Sequence, residues 1–514
     1  MLPILTPDQS AAWDRKAVGA GIELATLMEC AGRAVLAVLA PRFASRMGEG
    51  VLVAAGPGHN GGDGWVVARA LHRLEVPVWV ASTGAGTPLR ERMAGLARAE
   101  GVREVAPDGP WPRVGLAVDA LLGTGASGPP RPPVAALLDR LLDLEVPVVA
   151  VDGPTGVDLL SGTVYGAPRA DLTVTFGGFR RGHLLARDEV GTVVVADIGH
   201  PLAEPDWPGL VSDREAAELL PRLHARDHKG TRGRVVVVGG DAGMTGAVRM
   251  AARAAFAAGA GLVHAVAPAE TVAALVSGEP DLQTLAHPFD GDPSPALRDL
   301  VSRADALVIG PGLGRATGRR EFVAALARLA PAVLLDADAL VAFQGATEEL
   351  RRLSEGRSVV LTPHPGEFRT LFPELASQRE LDPWSAALAA AERTGAVVLL
   401  KGVPTVVASR GRPGLTIASG NPGLATGGSG DVLSGIIGTA LAQQLEPELA
   451  AALGAQALGR GADIAARRAT ARSLRPMDVI AALPDLWREW DVLRRSPPPP
   501  HPPVLVELPR PQTL

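Results

Sequence analysis

Short apolar runs that end on glycine-rich loops constrain this chain more than any other feature. Residues 51–55, 146–151, 306–309, 359–361 and 397–400 are mostly Val, Leu, Ile and Ala, and each runs into a loop rich in Gly, Pro, Asp or Thr. Apolar runs without alternation read as strands buried on both faces, which belong to parallel sheets covered by helices. In the first half, strands are expected at residues 51–55, 76–82, 114–122, 146–151, 172–176 and 193–196, and helices at 7–40, 64–74, 89–100 and 133–142. The prolines of residues 199–209 suit neither a helix nor a central strand, so this stretch reads as a linker. The rhythm then restarts. Strands are expected at 234–238, 262–267, 306–309, 332–335, 359–361, 397–400 and 405–408, and helices at 246–258, 319–329, 385–394, 432–444, 447–468 and 477–490. The fold expected is α/β in two three-layer αβα domains, the first Rossmann-like. Their bounds are 1–210 and 211–492, with a proline-rich tail at 493–514.

At 514 residues the chain is too long for one core. A net charge of −5 gives no electrostatic reason to expect nucleic acid or an anionic membrane as a partner. No uninterrupted apolar span of membrane length is evident, and the N-terminus lacks the basic-then-apolar layout of a signal peptide. The single cysteine, Cys30, excludes an internal disulfide and argues against zinc. These features point to a cytoplasmic enzyme. Lysine occurs only at Lys16, Lys229 and Lys401, and the last two sit in glycine-flanked motifs of an otherwise Arg-based surface. A compact ammonium differs from a planar guanidinium, so retention of Lys there suggests a specific use.

The richest loop is Asn421-Pro-Gly-Leu-Ala-Thr-Gly-Gly-Ser-Gly-Asp431, which opens a helix. Glycine exposes backbone N–H groups, and a helix N-terminus adds partial positive charge, so the loop reads as a phosphate cradle with Asp431 as an acid or base beside it. Lys401-Gly-Val-Pro-Thr405, Gly310-Pro-Gly-Leu-Gly314 and Thr362-Pro-His-Pro-Gly-Glu367 also follow apolar runs, and should gather at the carboxyl ends of the strands. The chain lacks a G-x-x-x-x-G-K-[ST] motif, which excludes a P-loop nucleotidase. Some roles stay open: Asp336 and Asp338 fit helix caps or site carboxylates, and His364 fits a satisfied turn or a ligand contact.

The first half carries three such loops. Gly56-Pro-Gly-His-Asn-Gly-Gly-Asp-Gly64 contains G-x-G-x-x-G, but the acid expected after the next strand is replaced by Ser82-Thr83-Gly84. Val118-Asp-Ala-Leu-Leu-Gly-Thr-Gly-Ala-Ser-Gly-Pro129 holds Asp119 in an otherwise apolar run, where a carboxylate is costly unless paired, cation-bound or functional. We read Asp119 as an acid–base residue, with a buried structural pair as the alternative. The third loop is Val151-Asp-Gly-Pro-Thr-Gly-Val-Asp158. Asn60, Asp119 and Thr155 offer hard oxygen ligands that suit a monovalent cation or Mg2+.

The Gly-Ser-Gly-Asp turn opening a helix resembles the ribokinase-like superfamily, which makes the second domain ribokinase-like. With the motifs at 310–314, 335–340 and 362–367, residues 215–490 resemble the NAD(P)H-hydrate dehydratases, and residues 1–210 resemble the NAD(P)H-hydrate epimerases. The epimerase family commonly has two asparagines before Gly-Gly-Asp, where this chain has His59 and Asn60, and often Ser where it has Thr155. The resemblance implies a bifunctional repair enzyme acting on hydrated NADH and NADPH (NADHX and NADPHX). One domain would exchange the two epimers, and the other would dehydrate one of them with ADP and Mg2+. It places potassium on Asn60, Asp119 and Thr155. The hydrate in the first domain would meet His59, Asn60, Gly61, Gly62, Asp63, Gly123, Thr124, Gly125, Ala126, Ser127, Gly128, Pro129 and Asp152. In the second it would meet Ala247, Gly312, Gly314, His364 and Asp431, with Asp431 catalytic. ADP would lie on Lys401, Gly402, Val403, Pro404 and Thr405. It would also lie on Asn421, Pro422, Gly423, Leu424, Ala425, Thr426, Gly427, Gly428, Ser429 and Gly430. A homo-oligomer is expected. The alternatives are a ribokinase-like small-molecule kinase with a non-catalytic first domain, or a dinucleotide sensor without turnover.

Overall fold

The computed structural model describes residues 1–497 and 504–513. The chain forms two compact units, one of Leu2–Trp207 with residues 504–510 and one built on Pro208–Pro497. The sheet of the first unit runs in the order Arg103–Val105, Val78–Ser82, Val51–Ala55, Leu116–Ala120, Val148–Val151, Leu172–Phe176, Thr192–Ala196 and Val504–Leu508. All neighbours are parallel except the last pair. The chain first moves outward from Val51–Ala55, then returns to its other side at Leu116–Ala120 and moves the opposite way. Such a reversal opens a crevice at the carboxyl ends of the two strands. A separate short pair sets Ile4 and Leu5 beside Phe179 and Arg180.

One helix was expected over residues 7–40, but the structure has two, Pro7–Gly19 and Leu24–Gly48. The first starts on a Thr6–Gln9 capping box with Pro in its first turn. It ends where Gly21 takes φ +94°, a conformation that suits glycine and breaks the helix. Leu24–Gly48 is long and apolar enough by composition to cross a bilayer. In this unit Leu27, Met28, Ala31, Val35, Val38 and Leu39 pack its inner face into the core. The linker docks on the first helix, where Trp13 Nε1 donates to the Pro201 carbonyl and stacks on His200 at 4.5 Å.

In the second unit seven parallel strands lie in the order Gln283–Ala286, Leu262–Ala267, Arg234–Val238, Ala306–Ile309, Ala332–Leu335, Ser358–Leu361 and Val397–Leu400. The hairpin strands Thr405–Ala408 and Leu415–Ile417 follow antiparallel, and Gly209–Leu210 pairs parallel to the latter. The direction of progress reverses between Arg234–Val238 and Ala306–Ile309. Helices Thr245–Ala257, Ser429–Ala442 and Pro447–Arg468 bury Ala- and Ile-rich faces in the main core.

Within the proline-rich tail expected at 493–514, the last long helix continues to Arg495, and Val504–Leu508 form a docked strand. That strand covers the edge strand Thr192–Ala196 of the first unit, pairing Leu508 with Val193 and Glu507 with Val194. Glu507 also meets Arg42 at 2.5 Å. An uncovered edge of Val193–Val195 would offer unpaired backbone groups to another chain. Deleting residues 498–514 should therefore lower the melting temperature of the first unit by several degrees and leave the transition of the second unchanged. Scanning calorimetry checks this, and an unmoved lower transition would count against the clamp.

Candidate active sites

Both crevices are shaped by strand ends too close for side chains. In the first unit a Cβ on Gly56 would stand 1.8 Å from the Leu121 carbonyl oxygen. A Cβ on Gly61 would stand 2.0 Å from the Gly56 oxygen. Helix His59–Arg73 starts there, and a cavity of about 540 Å³ opens beside it. His59, Asn60, Asp63, Gly123, Thr124, Gly125, Ala126 and Asp152 line this cavity. Gly61 and Gly62 face inward instead: a Cβ on Gly62 would meet Met28 Sδ at 2.5 Å, so these two glycines serve packing. Ser127 and Pro129 are exposed on the loop beyond the cavity wall, with Gly128 half-buried between them.

Asp119 lies behind that wall and is fully buried. Its Oδ1 accepts from Leu121 N at 3.1 Å and Thr155 Oγ1 at 2.7 Å, and its Oδ2 accepts from Thr155 N at 2.7 Å. Burial raises its pKa against those bonds. Both oxygens are occupied by protein donors, so the acid–base part expected for Asp119 does not follow from its position. Asn60 is the reverse case, because both polar atoms of its buried amide have no partner. A buried amide without partners is costly, and a cation accepting its oxygen removes part of that cost.

The carboxyl groups that do reach the cavity are shifted in opposite directions. Burial pushes Asp63 well above the usual range, and the negative charges of Asp152 and Asp14 add to it. Burial also works to raise Asp152, but the Arg180 guanidinium, with Thr124 and His183, outweighs it and lowers the carboxyl. Arg180 Nη2 lies 3.4 Å from Asp152 Oδ1, Thr124 N donates to Oδ2 at 2.7 Å, and Thr175 Oγ1 donates to Oδ1 at 3.1 Å. His183 accepts from Arg180 N on Nδ1 at 3.0 Å, so its Nε2 carries the proton that it gives to the Asp152 carbonyl at 2.6 Å. Burial drives this imidazole down to about 4, so it stays neutral. Arg180 was not singled out from the sequence. Its signal is an Arg pair, Arg180-Arg181, that begins two residues after a double glycine at a strand end.

In the second unit the same crowding recurs. A Cβ on Gly239 would lie 2.0 Å from the Pro311 oxygen, and one on Gly310 would lie 1.8 Å from the Asp336 oxygen. Gly312 stands against Ala247, whose Cβ would be 3.2 Å away from a Cβ on that glycine. Gly314 N donates to Asp338 Oδ2 at 3.0 Å, which ties this loop to the next strand end. Residues 421–428 lead into helix Ser429–Ala442, with Gly428 at φ +101°. Asn421 Oδ1 accepts from Gly423 N at 3.1 Å, and Asn421 Nδ2 donates to Asp463 at 3.1 Å. The Ser429 hydroxyl is buried in this cradle without a partner. In the 401–405 loop Thr405 Oγ1 donates to the Gly402 carbonyl at 3.1 Å, and Val403 is exposed beside Pro404. The two loops meet where a Cβ on Gly430 would lie 3.2 Å from Lys401 Nζ.

Asp431, in the first turn of that helix, is pushed up to about 7 by burial and by the negative charges of Asp336 and Asp338, with Lys401 opposing. Asp336 is buried and accepts from Lys401 Nζ at 2.7 Å, so it is a site carboxylate rather than a helix cap. His364 caps helix Pro365–Leu371, its Nδ1 accepting from Gly366 N at 3.0 Å. Its Nε2, 3.3 Å from Glu367 Oε1, stays half-exposed and within reach of a ligand. Among the described residues no cluster of His, Cys, Asp and Glu is built to hold a metal ion.

Glycine-framed crevices at the strand ends of both units, one with a buried carboxyl group beside a glycine loop that opens a helix, are the mark of a two-domain α/β enzyme with a ligand site in each unit. A family model described as NAD(P)H-hydrate dehydratase matches residues 235–485, and one described as YjeF-related protein N-terminus matches residues 24–182. The chain is 37% identical over 474 residues to the bifunctional NAD(P)H-hydrate repair enzyme Nnr of Escherichia coli (strain K12), covering 90% of this chain and 89% of that protein. It is 36% identical over 526 residues to the protein of the same name from Salinibacter ruber, covering 94% and 95%. Among solved structures it is similar to the ADP/ATP-dependent NAD(P)H-hydrate dehydratase from Bacillus subtilis co-crystallized with ATP/Mg2+. That likeness is 27% identical, covers 54% of this chain and 97% of that chain, and has a TM-score of 0.48. The chain belongs to the family of bifunctional NAD(P)H-hydrate repair enzymes.

The raised pKa of Asp431 has a cost in stability. The folded state keeps a proton up to about pH 7 that the unfolded chain releases near 3.8, so stability falls as pH rises between those values. Asp431→Asn should remove that loss, stabilising the second unit at pH 8 by up to roughly 3–4 kcal/mol and changing little at pH 4. Denaturant unfolding at the two pH values measures it. Equal stability of variant and wild type at pH 8 would refute the assignment.

Proposed function

We propose that this chain repairs hydrated NAD(P)H in two steps. The first unit interconverts the R and S epimers of NADHX and NADPHX. The second dehydrates the S form at the expense of ADP, giving AMP and phosphate. The observation that carries the reading is Asp431, a carboxyl poised near neutrality at the floor of a glycine cradle beside Lys401.

In the second unit Asp431 accepts the proton of the C6 hydroxyl as that oxygen attacks the terminal phosphorus of ADP and AMP leaves. Backbone N–H groups of residues 427–430 and the helix N-terminus stabilise the phosphoryl oxygens. Lys401, Gly402, Val403, Pro404 and Thr405 hold the nucleotide with residues 421–430. Ala247, Gly312, Gly314 and His364 hold the hydrate. The ring nitrogen then expels phosphate from C6, and loss of the C5 proton restores the dihydropyridine. Mg2+ would arrive on the nucleotide, which suits a cradle without a metal cage among the described residues, and would neutralise phosphate charge.

In the first unit Asn60, Asp119 and Thr155 would hold potassium, a reading supported by the orphaned Asn60 amide. Bound there, the ion would supply a fixed positive charge at the cavity wall. Asp63 and Asp152 are the carboxyl groups that meet the hydrate, one with its pKa raised and one with it lowered. A cytoplasmic setting and a homo-oligomeric state belong to the same reading, and sedimentation velocity tests the latter.

Incubation with a mixture of hydrated NADH epimers and ADP should restore the reduced-nicotinamide absorbance and release phosphate. A stable phosphorylated product would instead indicate a kinase. Asp431→Asn should abolish dehydration and leave epimer exchange intact. Gly123→Ala should do the converse, because its Cβ would lie 2.8 Å from Asp152 Oδ2 and 3.1 Å from Asn60 Cγ. Loss of both activities in either variant would contradict the division of labour. Because Asp431 must be ionised to act, kcat/KM for dehydration should rise with pH through about 7.

A further inference from the structure

Asp336 joins four parts of the second unit. It follows the strand Ala332–Leu335 and is 1% exposed. Its Oδ1 accepts from Lys401 Nζ at 2.7 Å and from Thr362 Oγ1 at 2.8 Å, both at the ends of neighbouring strands. Its Oδ2 accepts from Ser434 Oγ at 2.7 Å, one turn into helix Ser429–Ala442. The Lys401 ammonium is held where a Cβ on Gly430 would touch it. An ammonium has three N–H donors, and Asp336 uses one, so others remain for an anion in the cradle. The next residue, Ala337, takes φ +48° and ψ −123°, a strained conformation for a residue with a Cβ.

We propose that Asp336 is a positioning residue for phosphoryl transfer: it fixes Lys401 beneath the glycine loop, where the ammonium meets the transferred phosphoryl group, and it places its carboxylate near the base Asp431. This inference rests on the dehydratase reading above. A side chain as flexible as lysine contributes most to a transition state when its approach is fixed beforehand. The charged groups facing Asp431 are Asp336, Asp338 and Lys401. Glu367 is raised by burial, with the Lys401 charge opposing and the Asp336 charge adding to it.

The test uses the full chain with hydrated NADH and ADP, and follows kcat, KM and pH profiles. Asp336→Asn should lower kcat about a hundredfold, with a smaller change in the KM of the hydrate. It should move the acid limb of kcat/KM to lower pH by about half a unit or more, because one negative charge beside Asp431 is gone. Lys401→Met should move that limb the other way. In the Lys401→Met background, adding Asp336→Asn should cost about threefold or less, since the two act through one contact. Asp336→Glu keeps the charge but shifts the carboxylate, so it should lose kcat while the limb stays in place. This variant also decides the matter if Asp336→Asn does not fold. An unmoved acid limb in Asp336→Asn, fully additive losses, or full kcat in Asp336→Glu would each overturn the inference. If the wild-type chain itself gives no dehydration, it is the dehydratase reading that fails.

Discussion

At the centre of each unit, two parallel strands end so close together that one of them has no room for a Cβ. Gly56 lies against Leu121, and Gly239 against Pro311, at distances that exclude a Cβ. These contacts sit where the strand order reverses, so the loops leaving them must diverge. Divergence makes the crevice, glycine exposes the backbone amides, and a helix starting there supplies the positive end of a dipole. Everything assigned to the sites hangs on this crowding, because a side chain at these glycines would drive the strand ends apart.

The two crevices solve a common electrostatic problem differently. Each brings carboxyl groups together in a poorly solvated place, where two full negative charges are unfavourable. In the first unit Arg180 favours the charge on Asp152, while burial and the neighbouring carboxylates raise Asp63. In the second, Asp336 is satisfied by an ammonium and two hydroxyls, and Asp431 is left sensitive to pH near neutrality. In both cases a carboxylate saturated by protein donors sits next to one that is not.

Much of the fold was legible from apolar runs, because strands buried on both faces leave no other reading of Val51–Ala55 or Val397–Leu400. Short strands such as Arg103–Val105, Leu415–Ile417 and Gly209–Leu210 escaped, since two or three residues carry no pattern. The glycine loops were legible as sites for the same reason that they work, an excess of residues without side chains. Asp431 was legible in its loop, but the partners of other carboxylates were not. Asp119 stands alone in an apolar run, and Thr155, which donates to both its oxygens, lies 36 residues away. Asp336 depends on Lys401 and Ser434, 65 and 98 residues distant, which no local motif displays. Arg180 likewise gains its meaning only once the chain brings it back to Asp152.

The strand Val504–Leu508 makes the first unit discontinuous in sequence, with one full unit inserted between its penultimate and last strands. During synthesis, Thr192–Ala196 leaves the ribosome about 300 residues before the strand that covers it. At about 5–20 residues per second, the edge stays open for some 15–60 s, until the second unit has been made. Until then the backbone groups of Thr192–Ala196 on that side lack their strand partner, so the first sheet is completed only after the second unit has left the ribosome.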